Sequence, residues 1–160
     1  MRHQARRSKP EKARRTAKPN MRASSPGLPS STTRSYWLWA RSQVAGYPEA
    51  SMGCGKWLVF VPRDRVDGVW ASVKRAVESG ELGAEAKVST AKPNPNANDP
   101  STHVLCVYTY DVEDRIDVMR VREALRALGL TWKIPYKTDM ATGAGLYAKD
   151  GHKRISTYYE

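Results

Sequence analysis

The chain has 160 residues, 40% hydrophobic and 27% charged, which suits one soluble domain. No apolar run approaches the ~18 residues of a membrane span, and two cysteines exclude a disulfide scaffold. The formal charge of +11 excludes little by itself, but its distribution is informative.

Residues 1–34 hold ten Lys/Arg and one acid, Glu11, whereas residues 35–160 hold seventeen Lys/Arg and fifteen acids. The first stretch carries Pro10, Pro19, Pro26 and Pro29 with many hydroxyl residues and almost nothing to bury. This composition predicts a basic, unstructured N-terminal arm over 1–34, able to touch phosphates without reading sequence. Met21 offers a later start, from which the charge falls from +11 to +4. No apolar segment follows the arginines, so a secretory signal is not expected and the expected location is cytoplasmic.

Residues 35–160 read as a single domain. Tyr36–Trp39 is an aromatic strand, and 42–55 is a glycine-rich loop. Trp57–Val61 is a continuous apolar run, as expected of a strand covered on both faces. Asp64 is the expected cap of a helix whose Val66, Val69, Trp70, Val73 and Val77 recur at helical spacing, with Gly80 as its stop. Lys87–Thr90 reads as a strand, Lys92–Pro100 as irregular, and Val104–Tyr110 as a β-branched and aromatic strand. A second helix starts at Asp114 or Asp117 and runs to Leu128, with Val118, Val121, Leu125 and Leu128 on one stripe and Gly129 as its stop. Trp132–Tyr136, Gly145–Ala148 and Ile155–Tyr159 are the remaining strand expectations. The sum is an α+β domain, a mostly antiparallel sheet with two main helices on one face.

The histidines, His3, His103 and His152, and the cysteines, Cys54 and Cys106, are scattered without metal-ligand spacing, so neither a metal nor a cofactor is expected. Cys106 reads as a buried residue. Trp37 and Trp39 project to one face of their strand, and Tyr108 and Tyr110 share a face of theirs. Such rings stack bases on nucleic-acid-binding sheets, but core packing is the expectation for most of the tryptophans. The most specific local feature is Lys87–Asn96, where Lys87, Ser89, Thr90 and Lys92 flank a rigid turn. Lysine and hydroxyl donors suit a phosphate. Lys137 and Lys56 are further candidates, and sequence spacing leaves open that all three lysines are separate surface groups.

The blocks Gly55–Val61, Val66–Trp70, Ala86–Asn96, His103–Tyr110 and Ile134–Asp139 resemble the basophilic-leukemia-expressed protein family, with Lys87-Val-Ser-Thr-Ala-Lys-Pro93 at the centre. The resemblance covers roughly residues 35–148. It implies a fold similar to the cap-binding translation initiation factor, a curved antiparallel sheet backed by helices. Two functional analogies follow from it. The first is binding of a nucleotide or RNA end on the concave face. In the loop where a stacking tryptophan would lie, this chain offers only Tyr47, and no Trp-Glu pair occurs. The second is the phosphothreonine lyases, whose name some members carry. Lys56 then matches a phosphate-holding lysine, Lys87 the general base, Tyr108 the phosphate-side tyrosine and Lys137 a phosphate-holding arginine. The acid histidine falls on Leu58, and the second phosphate-holding arginine falls near 142–145, where there is no cation. Losing a general acid costs on the order of 10²–10⁴ in rate.

The expected function is therefore non-catalytic binding of a phosphate-bearing ligand, RNA or a nucleotide, through Lys56, Lys87, Ser89, Lys92, Tyr108 and Lys137. The alternative is β-elimination from a phosphorylated peptide with Lys87 as base. No membrane partner is expected.

Overall fold

The computed structural model describes residues 23–97, 99–140 and 157–160. The described elements are β1 (Trp37–Arg41), β2 (Gly55–Pro62), α1 (Val66–Glu78), β3 (Glu85–Ser89), β4 (Thr102–Thr109), α2 (Arg115–Ala127), β5 (Pro135–Thr138) and β6 (Tyr158–Tyr159). The strands form one curved sheet in the order β1-β3-β4-β2-β5-β6, and every pair is antiparallel. This is the expected α+β architecture. No helix of the described residues is long and apolar enough to cross a membrane. The Gly145–Ala148 expectation lies outside the described residues.

Alternation along the strands sets one face against the helices. Leu38 and Ala40 of β1, Trp57, Val59 and Val61 of β2, Ala86 and Val88 of β3, Leu105 and Val107 of β4, and Tyr136 of β5 form that buried layer. Val66, Trp70, Val73 and Val77 of α1 and Val118, Val121 and Leu125 of α2 close over it. The Trp57 indole Nε1–H donates to the Val118 carbonyl at 3.0 Å, so this core ring also meets its polar need. Tyr136 stands edge-on to the Trp57 ring and shares a 2.7 Å hydroxyl contact with Thr109.

β2 corrects one expectation. Its apolar run is not covered on both faces, because both helices lie on the same side of the sheet. Phe60 is 50% exposed and Leu58 half-buried on the other side. The caps differ too. Asp64 does not cap α1, whose N-cap is Arg65 without a side-chain hydrogen bond. The first-turn carboxylate Asp67 instead accepts from the backbone N–H and hydroxyl of Ser30. For α2 the Asp114 carboxylate accepts from Asp117 N–H at 3.0 Å, as expected of an N-cap.

The expectation of an unstructured arm does not hold for residues 23–34. Ser25 N–H donates to the Trp39 carbonyl, and the Ser25 and Ser24 hydroxyls accept from the Trp39 and Arg41 amides. Residues 23–34 thus form a strap along the outer edge of β1, satisfying backbone groups that an edge strand leaves open. Pro29 is buried, and its carbonyl accepts from Ala91 N–H. The sequence hid this because the anchoring is done by serine side chains and backbone groups, with little apolar burial.

Candidate ligand-binding face

The sheet face away from the helices carries the residues of interest, and register puts them in rows. One row across four strands reads Leu58, Cys106, Lys87 and Trp39. The neighbouring row holds Lys137, Lys56 and Tyr108 on β5, β2 and β4. Trp37, opposite Ser89, and Arg41, opposite Glu85, extend the face along β1 and β3. Lys56, Lys87 and Lys137, which the sequence left as three separate candidates, therefore share one face. Lys56 and Lys137 are not surface lysines, with only 7% and 4% of their area exposed.

Tyr108 lies at the centre. Its ring is nearly parallel to that of Trp39, with an interplanar angle of 14° and centroids 6.2 Å apart. The Lys56 ammonium lies 5.5 Å from the Tyr108 ring centre and the Lys87 ammonium 6.0 Å. Both distances fall within the range where a ring face attracts a cation. Burial holds the Tyr108 hydroxyl far above its ordinary value of 10.0, so it remains a neutral donor at any physiological pH.

Acidic groups temper the charge. Lys56 Nζ lies 2.5 Å from Asp139 Oδ1 at the end of β5, and the Cys54 thiol lies 3.4 Å from Asp139 Oδ2. Arg41 lies over Trp39, with its Nε 3.8 Å from Glu85 Oε2. Lys87 has no carboxylate within salt-bridge distance among the described residues. Sequence reasoning named Lys56 and Lys137 without seeing that Asp139 is the counter-charge to Lys56. Only the antiparallel β2–β5 register brings the two together.

The remaining site expectations are placed differently. The Ser89 hydroxyl accepts from Val104 N–H at 3.0 Å, and the Ser89 carbonyl meets His103 Nδ1 at 2.8 Å. Ser89 therefore ties β3 to β4 at the margin of the face. Lys92 Nζ lies 4.3 Å from the Tyr36 ring centre and 3.4 Å from the Arg34 carbonyl, so it clamps the strap. Of the expected core tryptophans, Trp57 and Trp70 are buried, whereas Trp37 and Trp39 are half-buried on the open face. Tyr110 does not continue the Tyr108 face. It lies past the end of β4, edge-on to Tyr47, with its hydroxyl on Asp114.

Tyr47, the loop ring that the resemblance offered for stacking, is committed to the helix side. Its hydroxyl donates to Asp117 Oδ2 at 2.5 Å, and Arg120 braces the same carboxylate while donating to the Glu81 and Leu82 carbonyls. These groups line a cleft of about 340 Å³. The same corner contains Gly83, where a Cβ would lie 2.0 Å from the Tyr108 carbonyl oxygen, so only glycine fits. Tyr47 and Tyr110 act as struts that fix the 42–55 loop to α2.

Cys106 is buried in the central row, and burial pushes its thiol up from 9.0 to about 11. His103, an odd number of residues away, points to the opposite side of β4. The stability tied to the Cys106 proton is fully present below pH 9.0 and is lost as the pH rises to about 11. At pH 8, iodoacetamide will therefore add once to the native protein, at half-buried Cys54, and reach Cys106 only after unfolding. Intact-mass spectrometry before and after urea reads this directly, and a double adduct on native protein would contradict the burial. No group of three or more His, Cys, Asp or Glu side chains able to hold a metal occurs among the described residues.

Among solved structures, the chain is similar to Caenorhabditis elegans eIF4E-3 in complex with the 4E-binding protein Mextli and a cap analog. The identity is 18% and the TM-score 0.48, over 68% of this chain and 65% of that one. A schistosome eIF4E complexed with m7GpppG and 4E-BP gives 13% and 0.49, over 68% and 59%. Ascaris suum eIF4E-3 with m7G cap gives 16% and 0.48, over 77% and 67%. The chain thus spans 65% of the length of the first of these structures. Residues 45–143 match the family model described as basophilic leukemia-expressed protein Bles03. The chain belongs to that family.

Proposed function

We propose that the open sheet face binds a phosphate-bearing ligand, a nucleotide or an RNA end, without chemical turnover. The observation that carries this reading is the convergence of the Lys56 and Lys87 ammonium groups on the Tyr108 ring, with Lys137 beside Lys56 in register. Lys87 is the direct phosphate contact in this reading. Buried Lys56 and Lys137 supply a positive floor, where the low dielectric strengthens their pull on an anion. Half-buried Trp37 and Trp39 offer ring area for a base, as aromatics do on single-strand-binding sheets. Ser89 and the Tyr108 hydroxyl are the neutral donors, Lys92 holds the strap beside the face and does not contact the ligand, and the basic arm adds sequence-independent affinity.

The lyase alternative has less support. A base at Lys87 needs an acid for the departing phosphate, and Leu58 stands in the same row with no proton to give. Cys106 and Tyr108, which share this face with Lys87, are both held protonated by burial and hence poor acids.

The test is a titration of the full chain with 5′-phosphorylated oligoribonucleotide between 50 and 200 mM salt. A second protein has the nine Lys/Arg of residues 1–22 replaced by serine. Roughly three contacts from the face predict a log–log slope near −2 in the arm-neutralised protein, and a steeper one in the native chain. Loss of all binding with the arm's charges would assign the affinity to the arm and sink the reading for the face. Incubation with a phosphothreonine peptide is expected to leave its mass unchanged; loss of phosphoric acid would establish the lyase instead.

A further inference from the structure

The rings around Lys87 form a cation cage that this chain fills with its own side chain. The Lys87 ammonium lies 4.1 Å from the centre of the Trp37 ring, 5.4 Å from Trp39 and 6.0 Å from Tyr108. These rings come from β1 and β4 on either side of β3, so the arrangement is made by the sheet order and not by local sequence. Two tryptophans and a tyrosine around one ammonium are the chemistry that elsewhere recognises quaternary ammonium ligands.

We infer that Lys87 sets the charge specificity of the face, occupying the cage so that cationic ligands are rejected and anionic ones accepted. This inference rests on the proposed phosphate-binding reading for its second half only. The physical argument is local. The negative ring faces of Trp37, Trp39 and Tyr108 attract whatever cation is nearest, and Lys87 is covalently held there at high effective concentration. A ligand ammonium must displace it and approach like charges at Lys87, Lys56 and Lys137, all on the same face. A phosphate meets the outer hemisphere of an ammonium already oriented by the rings. Removing the charge while keeping the stem volume inverts the preference, because the cage then lacks the cation nearest the Trp37 ring and only Arg41 at Trp39 and Lys56 at Tyr108 remain. Flanking groups fit this view, since Arg41 lies 5.1 Å from the Trp39 ring centre and guards the cage from the β1 side.

The experiment compares the full-length native chain with Lys87→Met, and with Lys87→Arg as the charge-conserving control. Two probes are used, phenyltrimethylammonium and guanosine 5′-monophosphate, and binding is followed by tryptophan fluorescence and by the indole N–H resonances of Trp37 and Trp39. Native protein is expected to bind the nucleotide and not the quaternary amine at millimolar concentration. Lys87→Met is expected to bind the amine at least tenfold more tightly than native protein and the nucleotide at least tenfold more weakly. Lys87→Arg should keep the native order. A native chain that binds the amine as well as Lys87→Met does, or a Lys87→Met that gains no amine binding with the indole resonances intact, overturns the cage inference. If native protein ignores the nucleotide while Lys87→Met gains the amine, the cage stands and the phosphate reading fails. Native nucleotide binding with no gain of amine binding in Lys87→Met overturns the cage and leaves the phosphate reading standing.

Discussion

Arg122→Met will destabilise the protein by about 3–5 kcal/mol, because three backbone carbonyls lose their donors at about 1–3 kcal/mol each. Arg122 has no exposed area, yet it sits on the core stripe of α2 between Val121 and Leu125. Its guanidinium donates to the backbone carbonyls of Leu130 at 2.8 Å, Trp132 at 2.7 Å and Glu160 at 3.2 Å. Its Cζ lies 5.9 Å from the Trp57 ring centre. Burial is the main cause that lowers its proton affinity, and the three carbonyls are what make the charge tolerable there. Methionine fills the volume but leaves those acceptors without donors, each at about 1–3 kcal/mol. Arg122→Lys will lose less, because one ammonium keeps some of the bonds but not the planar fork. Urea denaturation measures both. The expected fall in thermal midpoint is on the order of 10 °C for Arg122→Met. A loss below about 1 kcal/mol would mean that water satisfies the carbonyls and that Arg122 is not the peg joining α2 to the chain end.

Arg122 also shows what the sequence conceals. The spacing of Val118, Val121 and Leu125 announces α2 and its buried face, and Arg122 falls on that face too, but a charged residue reads as solvated by default. Elements whose signal is local were legible. The valine periodicity of α1, the β-branched run of β4 and the Asp114 cap all lie where local physics puts them. The sheet order was not legible, because antiparallel pairing between β2 and β5 is decided by packing between segments far apart in the chain. The site was therefore legible as residue types and illegible as geometry. Lys56, Lys87, Tyr108 and Lys137 stand out by motif chemistry and resemblance, while the Asp139 counter-charge and the Trp37–Trp39–Tyr108 cage exist only once the strands are aligned. The strap and the Ser30–Asp67 clamp stay hidden for the converse reason, since their stretch has the composition of disorder and is ordered by a few polar contacts.

Lys56→Met and Asp139→Asn will move phosphate affinity in opposite directions, and the spread between them will be about 10–100-fold at low salt, as charged hydrogen bonds of about 1.5–3 kcal/mol imply. The pair is close, 2.5 Å between Nζ and Oδ1, and asymmetric in burial, with the lysine side chain 9% exposed and the carboxylate 42%. Asp139 is thus a solvated acid that offsets the positive floor formed by Lys56 and Lys137. Converting it to asparagine keeps the shape and a hydrogen-bond acceptor while raising the charge of the face by one, so the ligand should bind several-fold more tightly. Lys56→Met keeps the apolar stem but removes the cation that Asp139 pairs with and lowers the charge of the face by one, so binding should fall about tenfold or more. Both effects should shrink as salt rises toward about 0.5 M, because the Asp139 side is exposed to solvent screening. Isothermal titration with guanosine 5′-monophosphate at two ionic strengths reads all of this, and unliganded thermal midpoints check that both variants are folded. Variants that bind equally well, with unchanged midpoints, would place the phosphate away from the Lys56 side of Tyr108. The ligand would then rest on Lys87 and the β1 tryptophans alone.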